Sequence, residues 1–79
     1  MKPYTTTIHI AINKIEGETR VVGAFKTYTE AVIAARLSLN EYLHAHGFTY
    51  QIANDWLDKG FSPDGQFSHY AVTTLLSLD

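Results

Sequence analysis

The chain begins with alternating apolar and polar positions. Between Tyr4 and Asn13, the apolar residues Tyr4, Ile8, Ile10 and Ile12 share one parity, while threonine, histidine and asparagine occupy the other. Alternation that uses β-branched residues is typical of a strand with one buried face. The pattern therefore predicts a first strand whose isoleucines face the core.

A second strand follows a turn signal. Gly17 lies in the polar segment 14–19 and can adopt the positive φ that a tight turn requires. Residues 20–26 then favour a strand that pairs with the first as a hairpin. We expect Val21 and Phe25 to face the core, with Gly23 between them to allow a helix to approach closely.

The next segment has the pattern of an amphipathic helix. Thr27 and Glu30 match the capping box, in which the threonine hydroxyl accepts from the N3 amide. The helix is predicted from about Tyr28 to His46, ending at Gly47 as the left-handed residue after the cap. Helical spacing places six residues in one stripe that should pack on the hairpin. They are Ala31, Val32, Ala35, Leu39, Tyr42 and Leu43.

The last third of the chain fits two periodicities. Alternation over residues 48–52 and 67–78 favours strands, although residues 52–57 and 67–78 also fit helical spacing. Between them, residues 62–65 (Ser-Pro-Asp-Gly) form a turn signal. We predict a small α+β domain of ββαββ order, an antiparallel sheet with one main helix packed on one face. The alternative is ββα followed by one or two helices.

Composition narrows the class of protein. The chain has 79 residues, 46% hydrophobic and 18% charged, and no cysteine, which favours one folded domain over residues 1–79. Without cysteine there is no disulfide, thiolate metal site or Cys nucleophile. Domains this small are often stabilised by a second chain when disulfides are absent, so a homodimer is one expectation.

Charge and hydropathy limit the partners. The formal charge is −2, which gives no electrostatic reason to expect nucleic acid or an acidic membrane. No apolar run reaches the roughly 18 residues that span a bilayer, and the N-terminus lacks the apolar region of a signal peptide. A cytoplasmic location fits these features best.

Catalytic and metal-binding patterns are missing from the sequence. His44 and His46 are two residues apart on the predicted helix, so their side chains diverge by about 200°. Glu41 and His44 have the i, i+3 spacing of di-metal carboxylate helices, but the chain has no second Glu-x-x-His. There is no Gly-x-Ser-x-Gly elbow and no phosphate-binding glycine loop. We expect no enzymatic activity, no metal and no cofactor.

An apolar pair lies on the polar side of the predicted helix. Ile33 and Leu37 are spaced i, i+4 opposite the core stripe, and an apolar centre with a polar rim is typical of a modest protein interface. Alternatively, the pair lies beneath the C-terminal segment as ordinary core. Trp56 and Phe61 form a second candidate anchor, with a lid over the core as the alternative interpretation. The predicted partner-binding residues are Ile33, Leu37, Glu41, His44, Trp56 and Phe61.

A weak cationic surface is the basis of a second functional hypothesis. If the predicted parities hold, polar and basic residues share the outer face of the hairpin, where a small nucleic-acid-binding accessory domain could use them. The alternative is an ordinary solvated sheet face. The residues are Thr5, Thr7, His9, Arg20 and Lys26.

Two resemblances bear on function. Residues 25–35 (Phe-Lys-Thr-Tyr-Thr-Glu-Ala-Val-Ile-Ala-Ala) look like the strand-into-helix segment of the arm-type domain that precedes phage integrase catalytic cores, domains that read DNA with their sheet. In size and character, without a shared motif, the whole chain resembles small phage-encoded inhibitors of bacterial defence, including anti-CRISPR proteins. The missing catalytic patterns and the surplus apolar surface favour a non-enzymatic protein-binding module, whose partner could be a second copy of the chain. The resemblance implies that the partner is a host defence (CRISPR–Cas) protein.

Overall fold

The computed structural model describes the backbone of residues 4–78 and the side chains of residues 6–76. The expectations for residues 1–3, and for the side chains of Tyr4 and Thr5, lie outside these ranges. The elements are β1 (Tyr4–Ile15), β2 (Glu18–Phe25), α1 (Tyr28–Ala45), α2 (Tyr50–Lys59) and β3 (Ser68–Leu78).

The three strands form one antiparallel sheet in the order β2-β1-β3, so the predicted hairpin is confirmed. Glu16 and Gly17 both have positive φ, 52° and 85°, as a two-residue type I′ turn requires. The β1–β2 register shifts between Ala11 and Ile12, which leaves Val22 as the extra residue of a β-bulge.

The caps of α1 agree with the predicted helix. The Thr27 hydroxyl accepts from the Glu30 amide at 3.2 Å, and Gly47 has φ 79° just after the helix. The Phe48 amide donates to the Leu43 carbonyl at 3.1 Å, which satisfies one of the last carbonyls of the helix. These bonds set both helix ends within one residue of the predicted ones.

The strand predicted over residues 48–52 is wrong, because a second helix occupies this region. The Thr49 hydroxyl accepts from the Ile52 amide at 3.3 Å, and Gly60 closes α2 with φ 90°. Helical spacing lets Ala53 and Leu57 be buried together, which alternation cannot do. The observed order is ββααβ, within the α+β class that the sequence predicts.

The other two predictions for the last third are confirmed. The Gly65 amide donates to the Ser62 carbonyl at 3.0 Å across the predicted turn. Residues 68–78 then form β3, which pairs with β1 along eleven positions. Pairing with β1 thus decides the final segment in favour of a strand.

Two clusters of buried residues make up the core. One combines Ala11 of β1 with Ala31 and Ala35 of α1, and all three have no exposed surface. The other lies towards the β1–β2 turn, where α2 and the loop before β3 join α1. Its buried members are Ile15, Leu39, Leu43, Ala53, Leu57 and Phe67.

The face of the sheet that packs on α1 is the opposite of the predicted one. Ala11, Asn13 and Ile15 of β1 are buried on the helix side, so the isoleucines of the other parity point away from the helices. Val21 pairs with Ile12 and is 70% exposed, so its predicted place in the core is wrong. Alanines on both elements let α1 lie close to β1, which the bulkier isoleucine face would not allow.

Candidate protein-interaction surfaces

A cleft of about 240 Å³ separates the outer sides of α1 and α2. We call it the helix cleft. Its walls combine aliphatic and aromatic side chains with amides and one guanidinium. The lining residues are Ile33, Arg36, Leu37, Asn40, His44, Tyr50, Asn54 and Leu57.

The predicted apolar pair lies in this cleft and is open to solvent. Ile33 is 58% exposed and Leu37 is 53% exposed, so the alternative that they form core beneath the C-terminal segment is wrong. Tyr50 faces them from α2 with 68% exposure. Sequence reasoning missed Tyr50 because its segment was assigned to a strand, although Thr49 is a recognisable helix cap.

Arg36 joins the two helices at the cleft. Its Nη1 donates to the Leu57 carbonyl at 3.3 Å, and its Nη2 lies 3.1 Å from the Asp58 carboxylate. The ion pair is exposed and contributes little to stability by itself. Together, the two contacts hold the end of α2 against α1 and so fix the width of the cleft.

The two histidines of α1 have different surroundings. The His44 ring lies 5.9 Å from the Tyr50 ring, centroid to centroid, at the wall of the cleft. The His46 ring stacks on Tyr42, and its Nδ1 lies 2.9 Å from the Tyr42 carbonyl oxygen. Within the described part of the chain, no three His, Asp or Glu side chains are grouped to hold a metal ion.

The remaining predicted partner-binding residues do not line the cleft. Glu41 is exposed on α1 beyond the lining residues. Trp56 is half-buried and stacks on Phe67 at 5.3 Å, which matches the alternative interpretation as a lid over the core. Phe61 is exposed beside the start of β3, where it pairs with Ser68.

The layer formed by α1 and α2, which we call the helix layer, is acidic. Its four carboxylates outnumber its two cations, both of which are paired with a carboxylate of the same layer. Glu41 has no salt bridge among the described residues. The carboxylates are those of Glu30, Glu41, Asp55 and Asp58, and the cations are Arg36 and Lys59.

The second surface is the side of the sheet that faces away from the helices, which we call the open face. Strand register places the even-numbered residues of β1 and β3 on this side, together with Val21 and Ala24 of β2. Branched aliphatic side chains dominate it; Val21 is largely exposed, and the others are partly exposed or half-buried. Its apolar members are Ile8, Ile10, Ile12, Val21, Ala24, Tyr70, Val72 and Leu76.

The cationic surface that the sequence predicts is not assembled. Arg20 pairs with Asn13, whose side chain bonds to Ser38 of α1, so Arg20 belongs to the helix side of the sheet. Lys26 lies after the end of β2. His9 faces α1 as well, with its ring 5.9 Å from the Tyr28 ring. Arg20 and His9 therefore lie on the helix side of the sheet and Lys26 lies beyond β2, so they do not form a basic surface on the outer face of the hairpin.

Comparisons with family models, with curated proteins and with solved structures find no match to this chain. Neither helix of the described residues is long and apolar enough to cross a membrane.

Proposed function

We propose that this protein is a non-enzymatic protein-binding module whose helix cleft receives an apolar side chain of a partner protein. The observation that carries the proposal is the exposure of Ile33 and Leu37 in a cleft walled by Tyr50. Exposed aliphatic and aromatic side chains that converge on one concave site gain free energy when a partner covers them.

The volume of the cleft favours a protein side chain over a small-molecule ligand. Sites that bury a drug-sized ligand or a cofactor usually have about 300–1,000 Å³. The helix cleft has about 240 Å³ and opens to solvent between two helices. Such a groove suits one or two apolar residues that project from a helix or loop of a partner.

The charge of the helix layer indicates the surroundings of that anchor. Carboxylates outnumber cations on α1 and α2, and Glu41 has no salt bridge among the described residues. Complementary charge speeds association and suppresses wrong partners. The partner surface is therefore expected to flank its apolar anchor with Lys or Arg, as nucleic-acid-binding proteins often do.

In a cell, such a protein-binding module would act as an inhibitor of bacterial defence. The size and character of the chain resemble anti-CRISPR proteins, and an acidic layer around an apolar cleft suits competition for a nucleic-acid-binding surface. Expression in a bacterium with an active CRISPR–Cas system should then restore transformation by a targeted plasmid. Leu37→Asp should abolish that restoration.

A peptide-display selection tests the binding site without knowledge of the partner. Random peptides are selected on the wild-type chain, and the Leu37→Asp variant is used for counter-selection. We expect enriched peptides to combine an aliphatic or aromatic residue with flanking Lys or Arg. Calorimetry should show binding at least about tenfold weaker to Leu37→Asp, since an apolar contact is replaced by a charge without a partner.

The matched control is Val21→Asp, which places the same charge on an exposed aliphatic residue of the open face. Circular dichroism establishes that both variants are folded. Peptides that bind Leu37→Asp as tightly as wild type, acidic consensus peptides, or a failed selection would each count against the helix cleft as the binding site.

A further inference from the structure

At the middle of the central strand, the open face carries bulkier aliphatic residues than the face that α1 covers. The helix side of the central strand contributes Ala11 and Asn13 beneath α1, whereas the other side presents Ile8, Ile10 and Ile12. Beneath the first part of α1, the covered side thus carries a small and a polar residue, with Ile15 buried further along the strand, and the uncovered side carries three branched aliphatic residues. These three isoleucines are half-buried by their neighbours on the sheet, and no other element of the described chain covers them.

The exposure on this face is substantial. Val21 is 70% exposed, and Tyr70, Val72 and Leu76 are 43%, 41% and 46% exposed. The strand positions 68–78 contain no Asp, Glu, Lys or Arg, so β3 adds no charge to the face. A contiguous apolar patch of this kind is typical of a surface that another macromolecule covers.

We propose that a second copy of this chain packs on the open face, sheet against sheet across a two-fold axis. The proposal is independent of the helix cleft, which lies on the other side of the sheet. Two twisted sheets pack with their mean strand directions about 30° apart and interdigitate their side chains. The assembly would have four layers, with helices outside and two sheets inside.

The area of the face meets the requirement for a dimer. Three strands about 4.8 Å apart, with up to eleven residues rising about 3.3 Å each, cover roughly 500 Å². Two stacked faces therefore remove roughly 1,000 Å² from solvent, which is about the area that a biological interface should clear and lies at the low end of the range for dimers.

The charge of the face favours a copy of the same chain over a charged partner. A two-fold interface brings the same patch of both copies together, so it must not repel itself. Val72 pairs with Ile10 near the middle of the two long strands, and the residues around them are uncharged. Lys14 and Lys26 lie towards opposite ends of the face, away from this centre.

The shape of the domain also suits mutual coverage. Beyond the end of β2, residues 4–8 of β1 continue with residues 74–78 of β3 as a two-stranded ribbon. The ribbon contributes to a molecule that measures 55 × 20 × 19 Å. A cleft of about 310 Å³ lies at the step where β2 ends, lined by Thr6, Ile8, Ala24, Phe25 and others. In a face-to-face pair, each ribbon extends along the sheet of its partner.

The free edge of β3 is the competing site for a second copy. The His69 amide donates outward to the Gly60 carbonyl at 3.0 Å, so the odd-numbered residues that follow point their amides to this edge. A long edge strand without charge or proline is open to pairing. Leu75→Pro removes one outward amide without breaking the ladder to β1, so it separates edge pairing from face packing.

Sedimentation equilibrium of the full chain tests the proposal. We expect the wild type to be a dimer at micromolar concentration. Val72→Lys and Val21→Lys should each raise the dimer dissociation constant about tenfold or more, since a charge is buried against an apolar surface. Ile33→Lys makes the same change in the helix cleft and should leave the dimer intact, as should Leu75→Pro.

The proposal is overturned by any of the following results. A wild-type chain that is monomeric at 100-fold higher concentration has no self-association through this face. A dimer that withstands both open-face lysines but dissociates with Leu75→Pro pairs through the β3 edge. If Ile33→Lys dissociates it, the helix cleft is the dimer interface. Circular dichroism of every variant separates dissociation from unfolding. The second open-face variant keeps the test valid if one of the two fails to fold.

Discussion

The two faces of the sheet differ in how their residues are stabilised. On the helix side, Ala11 meets Ala31 and Ala35 with no exposed surface, and larger residues fill the core beside the second helix. On the open face, Ile10 and Val72 pair across strands but have no layer above them. One face is covered within the chain, whereas the other is open to solvent.

This difference shows that hydrophobicity alone does not decide which side of a strand is buried. Small residues bury little area each, but they let a helix backbone approach a strand, so many van der Waals contacts form at once. A face of isoleucine and valine gains more free energy per residue when covered, at about 25 cal/mol per Å² of apolar surface. In this fold that free energy would be gained only if another molecule covered the face.

The largest expected effect is on the covered side. Leu39→Ala should lower the free energy of unfolding by about 2–5 kcal/mol, because the buried side chain leaves a cavity between α1 and β1. Urea denaturation at low protein concentration, where a dimer contributes least, measures this loss. Val21→Ala on the open face should change stability by about 0.5 kcal/mol or less. Equal losses for the two variants would contradict the assignment of the faces.

Enlarging an alanine should also distinguish the two faces. Ala35→Leu forces three additional carbon atoms into a contact without free space, at a cost of about 1–3 kcal/mol. Ala24→Leu adds the same atoms to an exposed position on the open face, and we expect a change within about 0.5 kcal/mol. Thermal unfolding of the pair measures both. A tolerated Ala35→Leu would mean that α1 is not held close to the sheet.

An effect of similar size is expected at the buried polar contact of the helix side. The side-chain amide of Asn13 donates through its Nδ2 to the Ser38 hydroxyl at 2.7 Å, and Asn13 is 1% exposed. Ser38→Ala leaves that amide without its partner and should cost about 1–3 kcal/mol. The double variant Asn13→Leu with Ser38→Ala removes both groups and should recover much of the loss. A double variant less stable than Ser38→Ala would show that the asparagine stabilises the fold in another way.

The smallest effect concerns the loop that leads from the covered side into β3. The Asp64 carboxylate accepts from the Ser62 hydroxyl at 2.6 Å and from the Gln66 amide at 3.0 Å. These bonds lower the pKa of the Asp64 carboxyl below its ordinary value of 3.8. The stabilisation is therefore present above the unfolded-state pKa and is lost as the pH falls through the lower, folded-state pKa.

Asp64→Asn removes this titration. We expect the variant to lose less stability than wild type between pH 5 and pH 2, as urea midpoints over that range would show. The same acid-induced loss in both proteins would assign the acid sensitivity to other carboxylates. The Ser62 hydroxyl also accepts from the buried Phe67 amide, so a weakened loop would loosen the packing of Phe67 in the core.

Part of this fold and site could be predicted from local patterns. The turn at Gly17, the cap at Thr27 and the buried stripe of α1 each depend on residues a few positions apart, and all three occur as expected. Ile33 and Leu37 are exposed because the buried stripe of the same helix fixes the opposite side. The helix cap at Thr49 was also present in the sequence, but alternation from Phe48 to Ile52 masked it.

Tertiary packing decided what local patterns left open. Alternation of polar and apolar residues determines that two faces differ, since successive side chains point to opposite sides, but it does not say which side a helix will cover. That choice depends on the fit between Ala11 and two alanines twenty or more positions along the chain. The same fit sends Ile8, Ile10 and Ile12 to the outside, because a helix can approach closely only where the side chains between the backbones are small.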